Sequence, residues 1–260
     1  MQKSSVGELN TQTPENSVRN NIKMLFTATY YKEQLSGWQL PSYMLLAFGW
    51  GALIMNYVSS MNFGWVNTVA TIGGLLGFTC VNAIAQNKPL NGVLGFVSAI
   101  LIIINAIHAT AYNDVLMQVS YLLVLDIPIM LRGRSWQNKK IHASGWSEFG
   151  LIILFFVVVT GILYFSDTHI FISKSPVLDS IGAAIGLTGA LSMMLKSKVQ
   201  TFWWIAQGLL SIALWADLAL KGATTPTLLV VYILYFLNNI LMLTISPWGL
   251  NMFKKNKLVK

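Results

Sequence analysis

An all-α integral membrane protein is the fold class this sequence predicts, on three observations. Hydrophobic residues make up 55% of its 260 positions and charged residues 10%, with a mean hydropathy of +0.60, whereas a soluble domain carries about a quarter charged residues. The apolar residues fall into runs of about 20, the length that crosses a bilayer as a helix. The basic residues lie between those runs, in alternate loops, so the net charge of +8 reads as a topology signal and not as a nucleic-acid surface. The single cysteine, Cys80, lies inside an apolar run and excludes a disulfide framework or a thiolate metal site.

Eight spans are expected, at roughly 40–59, 65–86, 89–112, 114–131, 146–166, 177–196, 200–221 and 225–246. The third and fourth form a tight hairpin. Lys3, Arg19, Lys23, Lys32, Lys88, Arg132, Arg134, Lys139, Lys140, Lys196, Lys198, Lys254, Lys255, Lys257 and Lys260 fall on one side of this scheme, and only Lys174 and Lys221 on the other. Positive residues collect on the cytoplasmic side, so both termini are expected inside, in a multi-pass protein of the cytoplasmic membrane. Residues 1–35 are polar, with no paired basic and apolar regions of a cleavable signal peptide. With the basic tail 249–260 they are expected to be solvated or surface-bound, within reach of anionic head groups.

The spans predict an internal repeat. Gly74, Leu75 and Gly77 match Gly186, Leu187 and Gly189; Gly95 and Ser98 match Gly208 and Ser211; Tyr121 matches Tyr235. The expected plan is one N-terminal helix (36–60) outside the scheme, a first triple-helix repeat (65–131), a basic loop and linker helix (132–168), and a second triple-helix repeat (176–248). The linker restores direction, so the repeats are parallel, a plan used by small-solute carriers and shared with the SWEET type.

Polar groups at hydrocarbon depth tend to face a bundle interior or a water-filled path. The run Gln200–Gly222 carries Trp203, Trp204 and Gln207; aromatic planes beside an amide suit a flat, uncharged, hydrogen-bonding ligand. Gln118 and Tyr121 share a helix face, and Asp126 lies nearer the inner end, two residues before Pro128, which frees a backbone carbonyl. Tyr232, Tyr235 and Asn238 follow at i, i+3 and i+6, with Asn239 alongside; Asn91 lies at the inner end of its span. Asn and Gln also stitch helices together, and Trp near a helix end also belongs to interfacial belts. His108 reads as a bundle histidine, and Cys80, Met117 and the other methionines as packing. There is no phosphate loop, HExxH pair or nucleophile elbow, and Asp126 is the one acidic residue well inside a span. No catalytic residue, metal or cofactor is expected, and passive, facilitated movement is favoured over pumping.

The segment Tyr112–Tyr121, YNDVLMQVSY, resembles the YGDxxxNxxY signature of the PnuC-type vitamin transporters, with Asn113 for Gly and Gln118 for Asn. The run from Gln200 stands where that family carries WxxWxxxN, and Tyr232–Asn239, YILYFLNN, resembles its YxxYxLN ending. Trp203 and Trp204 are adjacent, about 100° apart on a helix, where the family pair shares a face: counting from Trp204 puts Thr201 and Gly208 at the other motif positions, counting from Trp203 puts Ala206 there. The resemblance implies facilitated import of nicotinamide riboside, trapped by a cytoplasmic kinase for NAD synthesis, by a homo-oligomer in the lipid bilayer. It implies that Trp203, Trp204 or Tyr121 holds the pyridinium by cation–π attraction, and that Gln118, Gln207 and Asn239 bond the ribose or carboxamide. The alternatives are another nucleoside or vitamin (a deoxynucleoside, thiamine, riboflavin), a SWEET-like sugar uniporter, a membrane enzyme acting on lipid head groups, and a non-transporting receptor or scaffold.

Overall fold

The computed structural model describes residues 14–170 and 176–249; the tails 1–13 and 250–260 lie outside the described residues, as does Lys174. Among the described residues ten helices follow one another: α1 (Pro14–Met24), α2 (Ala28–Leu35), α3 (Leu40–Ser59), α4 (Trp65–Ala85), α5 (Leu90–His108), α6 (Tyr112–Gln137), α7 (Trp146–His169), α8 (Pro176–Met194), α9 (Gln200–Leu220) and α10 (Thr227–Ile245). Seven of them, α4 to α10, are long and apolar enough to cross a bilayer among the described residues. The remaining expected span, α3, has the length at 20 residues, but Pro41, Ser42, Tyr43, Asn56 and two glycines dilute its apolarity.

Residues 14–38 are more structured than their polar composition suggests. The side chain of Thr27 caps α2, and Leu25, Tyr30 and Trp38 bury against Ala83 and Leu90. Asn21 Nδ2 donates to the Leu131 carbonyl at 2.9 Å, beside Gly133, whose φ of +38° bends the end of α6. A side chain at Gly133 would be strained in that left-handed region.

Every close packing pair in the bundle has a counterpart. Helix α4 packs on α5 as α8 does on α9, α5 on α6 as α9 does on α10, and α4 on α10 as α8 does on α6. Helix α3 lies on α4 and α10; α7 lies on α8 and, more lightly, on α6. The turns match as well. Asn87 (φ +53°) and Lys196 (φ +61°) end α4 and α8, and Thr110 (φ +59°) and Gly222 (φ +69°) end α5 and α9. At each, the next residue's N–H reaches back to the carbonyl five before it: Lys88 to Ala83, Ser197 to Ser192, Ala111 to Ala106 and Ala223 to Leu218, all at 2.9 Å. This left-handed cap satisfies carbonyls that a helix end leaves unpaired.

Helix α6 departs from α-geometry where its polar residues lie. Pro128 has no N–H to offer the carbonyl four residues back and its ring crowds that carbonyl. Leu122–Asp126 accordingly forms a π-turn, in which the Ile127 N–H bonds to the Leu122 carbonyl. Such single wide turns recur at functional sites.

A central aromatic and amide cavity

Helices α4, α5, α6, α9 and α10 enclose a cavity of about 100 Å³. From α6 come Gln118, Tyr121 and Asp126, from α9 Trp204 and Gln207, and from α10 Tyr232, Tyr235 and Asn239. Small residues on α4 and α5 complete the wall, among them Gly77, Cys80, Gly95 and Ser98.

The polar groups are only partly engaged. Trp204 Nε1 donates to Gln200 Oε1 at 3.0 Å, and the Trp204 carbonyl accepts from Asn239 Nδ2 at 2.9 Å. The first bond orients the indole and the second holds its backbone; the ring meets that of Tyr121 edge-on at 5.8 Å. Gln207 Nε2 donates to Ser211 Oγ at 2.9 Å. The buried Tyr121 hydroxyl has no hydrogen-bond partner, and Gln118 makes no side-chain hydrogen bond among the described residues. A buried polar atom without a partner is costly, and both residues line the cavity.

Three of the residues singled out from sequence stand outside this wall. Trp203 turns toward α7, its ring 5.3 Å from Phe156. Asn238 Nδ2 donates to the Val81 carbonyl at 3.1 Å; six residues after Tyr232 is about 120° round an α-helix, whereas Asn239, seven after, returns to the same face. Asn91 ties the α4–α5 turn, its Nδ2 on the Lys88 carbonyl at 2.5 Å and its carbonyl accepting from Cys80 Sγ at 3.3 Å. His108 is an exposed residue at the end of α5, edge-on to Trp65, and not a bundle histidine. Among the wall residues, Gly77 and Gly95 were not expected at the site, and Cys80 was expected only to pack. A Cβ on Gly77 would collide with the Tyr235 hydroxyl, one on Gly95 with the Asp126 carboxylate and one on Gly186 with the Tyr121 hydroxyl and Met117 Sδ. All three belong to the glycine pattern of the expected repeat.

Comparison with known proteins then fixes the family. The model of the family described as "Nicotinamide mononucleotide transporter" matches residues 64–248. The chain belongs to this family. Within it, the chain is similar to the nicotinamide riboside transporter PnuC of Neisseria mucosa, 23% identical over 232 residues that cover 84% of this chain and 85% of the relative. It is also similar to the nicotinamide riboside transporter PnuC of Haemophilus influenzae, 25% identical over 227 residues, 84% of this chain and 94% of the relative. The fold matches the crystal structure of the vitamin B3 transporter PnuC with a TM-score of 0.72, at 21% identity, over 83% of this chain and 94% of that one. The family carries small molecules across membranes.

One consequence concerns packing. Gly186→Ala is expected to push Tyr121 or helix α8 out of place, since overpacking a full interior costs about 1–3 kcal/mol. Uptake should fall at least about tenfold and thermal inactivation should come earlier. Gly161→Ala on α7, where an added Cβ meets open space, should change neither, and equal behaviour of the two variants would refute this role for Gly186.

Proposed function

We propose that this protein carries nicotinamide riboside across the cytoplasmic membrane by facilitated diffusion. The observation that carries the reading is the charge of the cavity wall: it holds one carboxylate, Asp126, and no lysine, arginine or histidine. A mononucleotide would bring its phosphate against that carboxylate with no cation to offset it, at a large cost in a low-dielectric site. A riboside brings a pyridinium cation and neutral hydroxyls, which suit the faces of Trp204 and Tyr121, the amides Gln118, Gln207 and Asn239, and Asp126 itself. The relatives named as riboside transporters support the same choice. Tyr232 and Tyr235 complete the aromatic lining.

The proposal includes an arrangement in the membrane. Eight spans are supported by the exposed apolar face of α3, which carries Leu40, Met44, Phe48 and Met55, as expected of a lipid-facing helix. The paired packing and matched turns support two triple-helix repeats about an axis along the membrane normal. In that scheme α3 stands to the first triplet as α7 does to the second, so α3 belongs inside the repeat. The basic residues of the α4–α5, α6–α7 and α8–α9 connections support termini on the cytoplasmic side. Helix α7 leaves most of its apolar surface uncovered, Leu151, Leu154, Val157 and Ile162 among it, which supports lipid or a second copy as its neighbour in a homo-oligomer. A cytoplasmic kinase that phosphorylates the riboside on the way to NAD would trap it there and draw the flux inward.

Purified protein in proteoliposomes without ion gradients should equilibrate labelled nicotinamide riboside saturably. Unlabelled riboside should compete, and nicotinamide mononucleotide, thymidine, deoxyadenosine, thiamine and riboflavin should not. Flux no higher than in empty vesicles would sink the reading, and competition by one of the others would reassign the substrate.

A further inference from the structure

At the end of the bundle that carries the basic loops, the cavity is closed by a cluster in which Trp136, Trp248 and Met193 pack with the wall residues Leu125 and Met242, against Tyr121 and Trp204. Buried in this closure is Lys196, 1% exposed. Its Nζ lies 3.3 Å from the centroid of the Trp136 ring and 4.9 Å from that of Trp248, and donates to Asn87 Oδ1 at 2.7 Å. Four chain connections thus meet on one ammonium: the α4–α5 turn, the end of α6, the α8–α9 turn and the segment after α10. Asn87 and Lys196 occupy equivalent positions in their turns, each the left-handed residue of its cap. Among the described residues no carboxylate pairs with Lys196.

An ammonium offers three donors, and here one hydrogen bond and two ring faces replace its water. Burial and the nearby Lys139 push Lys196 down to about 7, in keeping with a charge poorly compensated where it lies. A buried charge behaves asymmetrically. Replacing a buried ion pair with apolar side chains of similar volume is commonly neutral or stabilising, whereas removing one partner alone is destabilising; with no counter-ion on Lys196 among the described residues, an apolar residue there removes the cost of the buried charge and strands no opposite one. The connections that hold Lys196 must separate if the cavity is to open at this end, and separation returns the ammonium to water.

We propose that Lys196 is a gate residue of the transport cycle: its ammonium, clamped between Trp136 and Trp248 and held by Asn87, keeps the closed exit marginal so that it opens readily. This rests on the central cavity being the transport site. The closed exit is therefore weakened by its own lysine and strengthened by Asn87. An apolar residue at 196 tightens it, and loss of the Asn87 amide loosens it.

The chain supplies its own reporter, because its only cysteine, Cys80, lies on the cavity wall. The probe is a membrane-impermeant methanethiosulfonate bearing a quaternary ammonium, applied to inside-out and right-side-out vesicles, with labelling followed by intact mass. From the side of the basic loops, Lys196→Met should slow Cys80 labelling at least about tenfold. Asn87→Gly, which suits the left-handed backbone, should speed it about fivefold or more. The double variant should label at a rate between those of the two single variants, since Asn87 Nδ2 also donates to the Gln137 carbonyl at 3.1 Å and that bond is lost with or without the lysine. Single variants that shift labelling in the same direction, or that leave it at the wild-type rate, overturn the proposal; a purely structural role for Lys196 predicts the former. Protection of wild-type Cys80 by nicotinamide riboside tests the substrate separately: its absence beside opposite shifts would remove the substrate and keep the gate.

Discussion

Trp204→Ala is expected to weaken binding of nicotinamide riboside about 30-fold, read by titration calorimetry on the purified protein. The indole N–H donates to Gln200, and the Trp204 backbone carbonyl accepts from Asn239. Gly189 backs the ring, where a Cβ would stand 3.3 Å from it. A base stacked on an aromatic side chain contributes about 1–3 kcal/mol, and a desolvated cation over a ring about 2 kcal/mol or more, so a loss of about 2 kcal/mol is conservative. Trp203→Ala is the control. Its ring packs on Phe156 of α7, so affinity should stay within about threefold while resistance to heat falls. Equal losses of affinity in both variants would mean that the adjacent tryptophans act together, against the geometry of the cavity.

The second large effect concerns Asp126. Asp126→Asn keeps the shape and hydrogen-bonding reach of the side chain and removes its ability to carry charge. At an effective dielectric of about 20, opposite charges about 6 Å apart attract by about 3 kcal/mol, part of which is offset by desolvation. Affinity for nicotinamide riboside should fall about tenfold or more. Affinity for its reduced, uncharged form should change less than about threefold, and nicotinamide mononucleotide should gain relative to the riboside. An equal loss for the charged and uncharged ribosides would show that Asp126 bonds the sugar and does not read the ring's charge.

Much of this was legible in the chain. The expected spans lie within a few residues of the observed helices, apart from the inner end of α6, because a bilayer-length apolar run flanked by polar turns leaves the backbone few alternatives. Eight of the eleven residues singled out from sequence stand on one cavity wall, because polar and aromatic groups amid apolar helices have few places to go. The misplaced residues have local causes. Trp203 and Trp204 differ by one residue, and only the position of α7 decides which ring it covers. Asn238 and Asn239 differ in the same way on α10. Asn91 looked like a pore amide and instead ties a turn.

The sequence alone determined the helices, because period and length are properties of the chain. Tertiary structure decided how the polar residues combine, and Asp126 is the clearest case. Five residues after Tyr121, it would lie about 140° away on a regular α-helix, off the face that Gln118 and Tyr121 share. The π-turn before Pro128 adds a residue to the turn and brings the carboxyl round to the wall. Gly95 on α5 leaves the space it occupies. A proline's missing N–H is written in the sequence; the direction in which a helix yields to it is set by the neighbour that makes room.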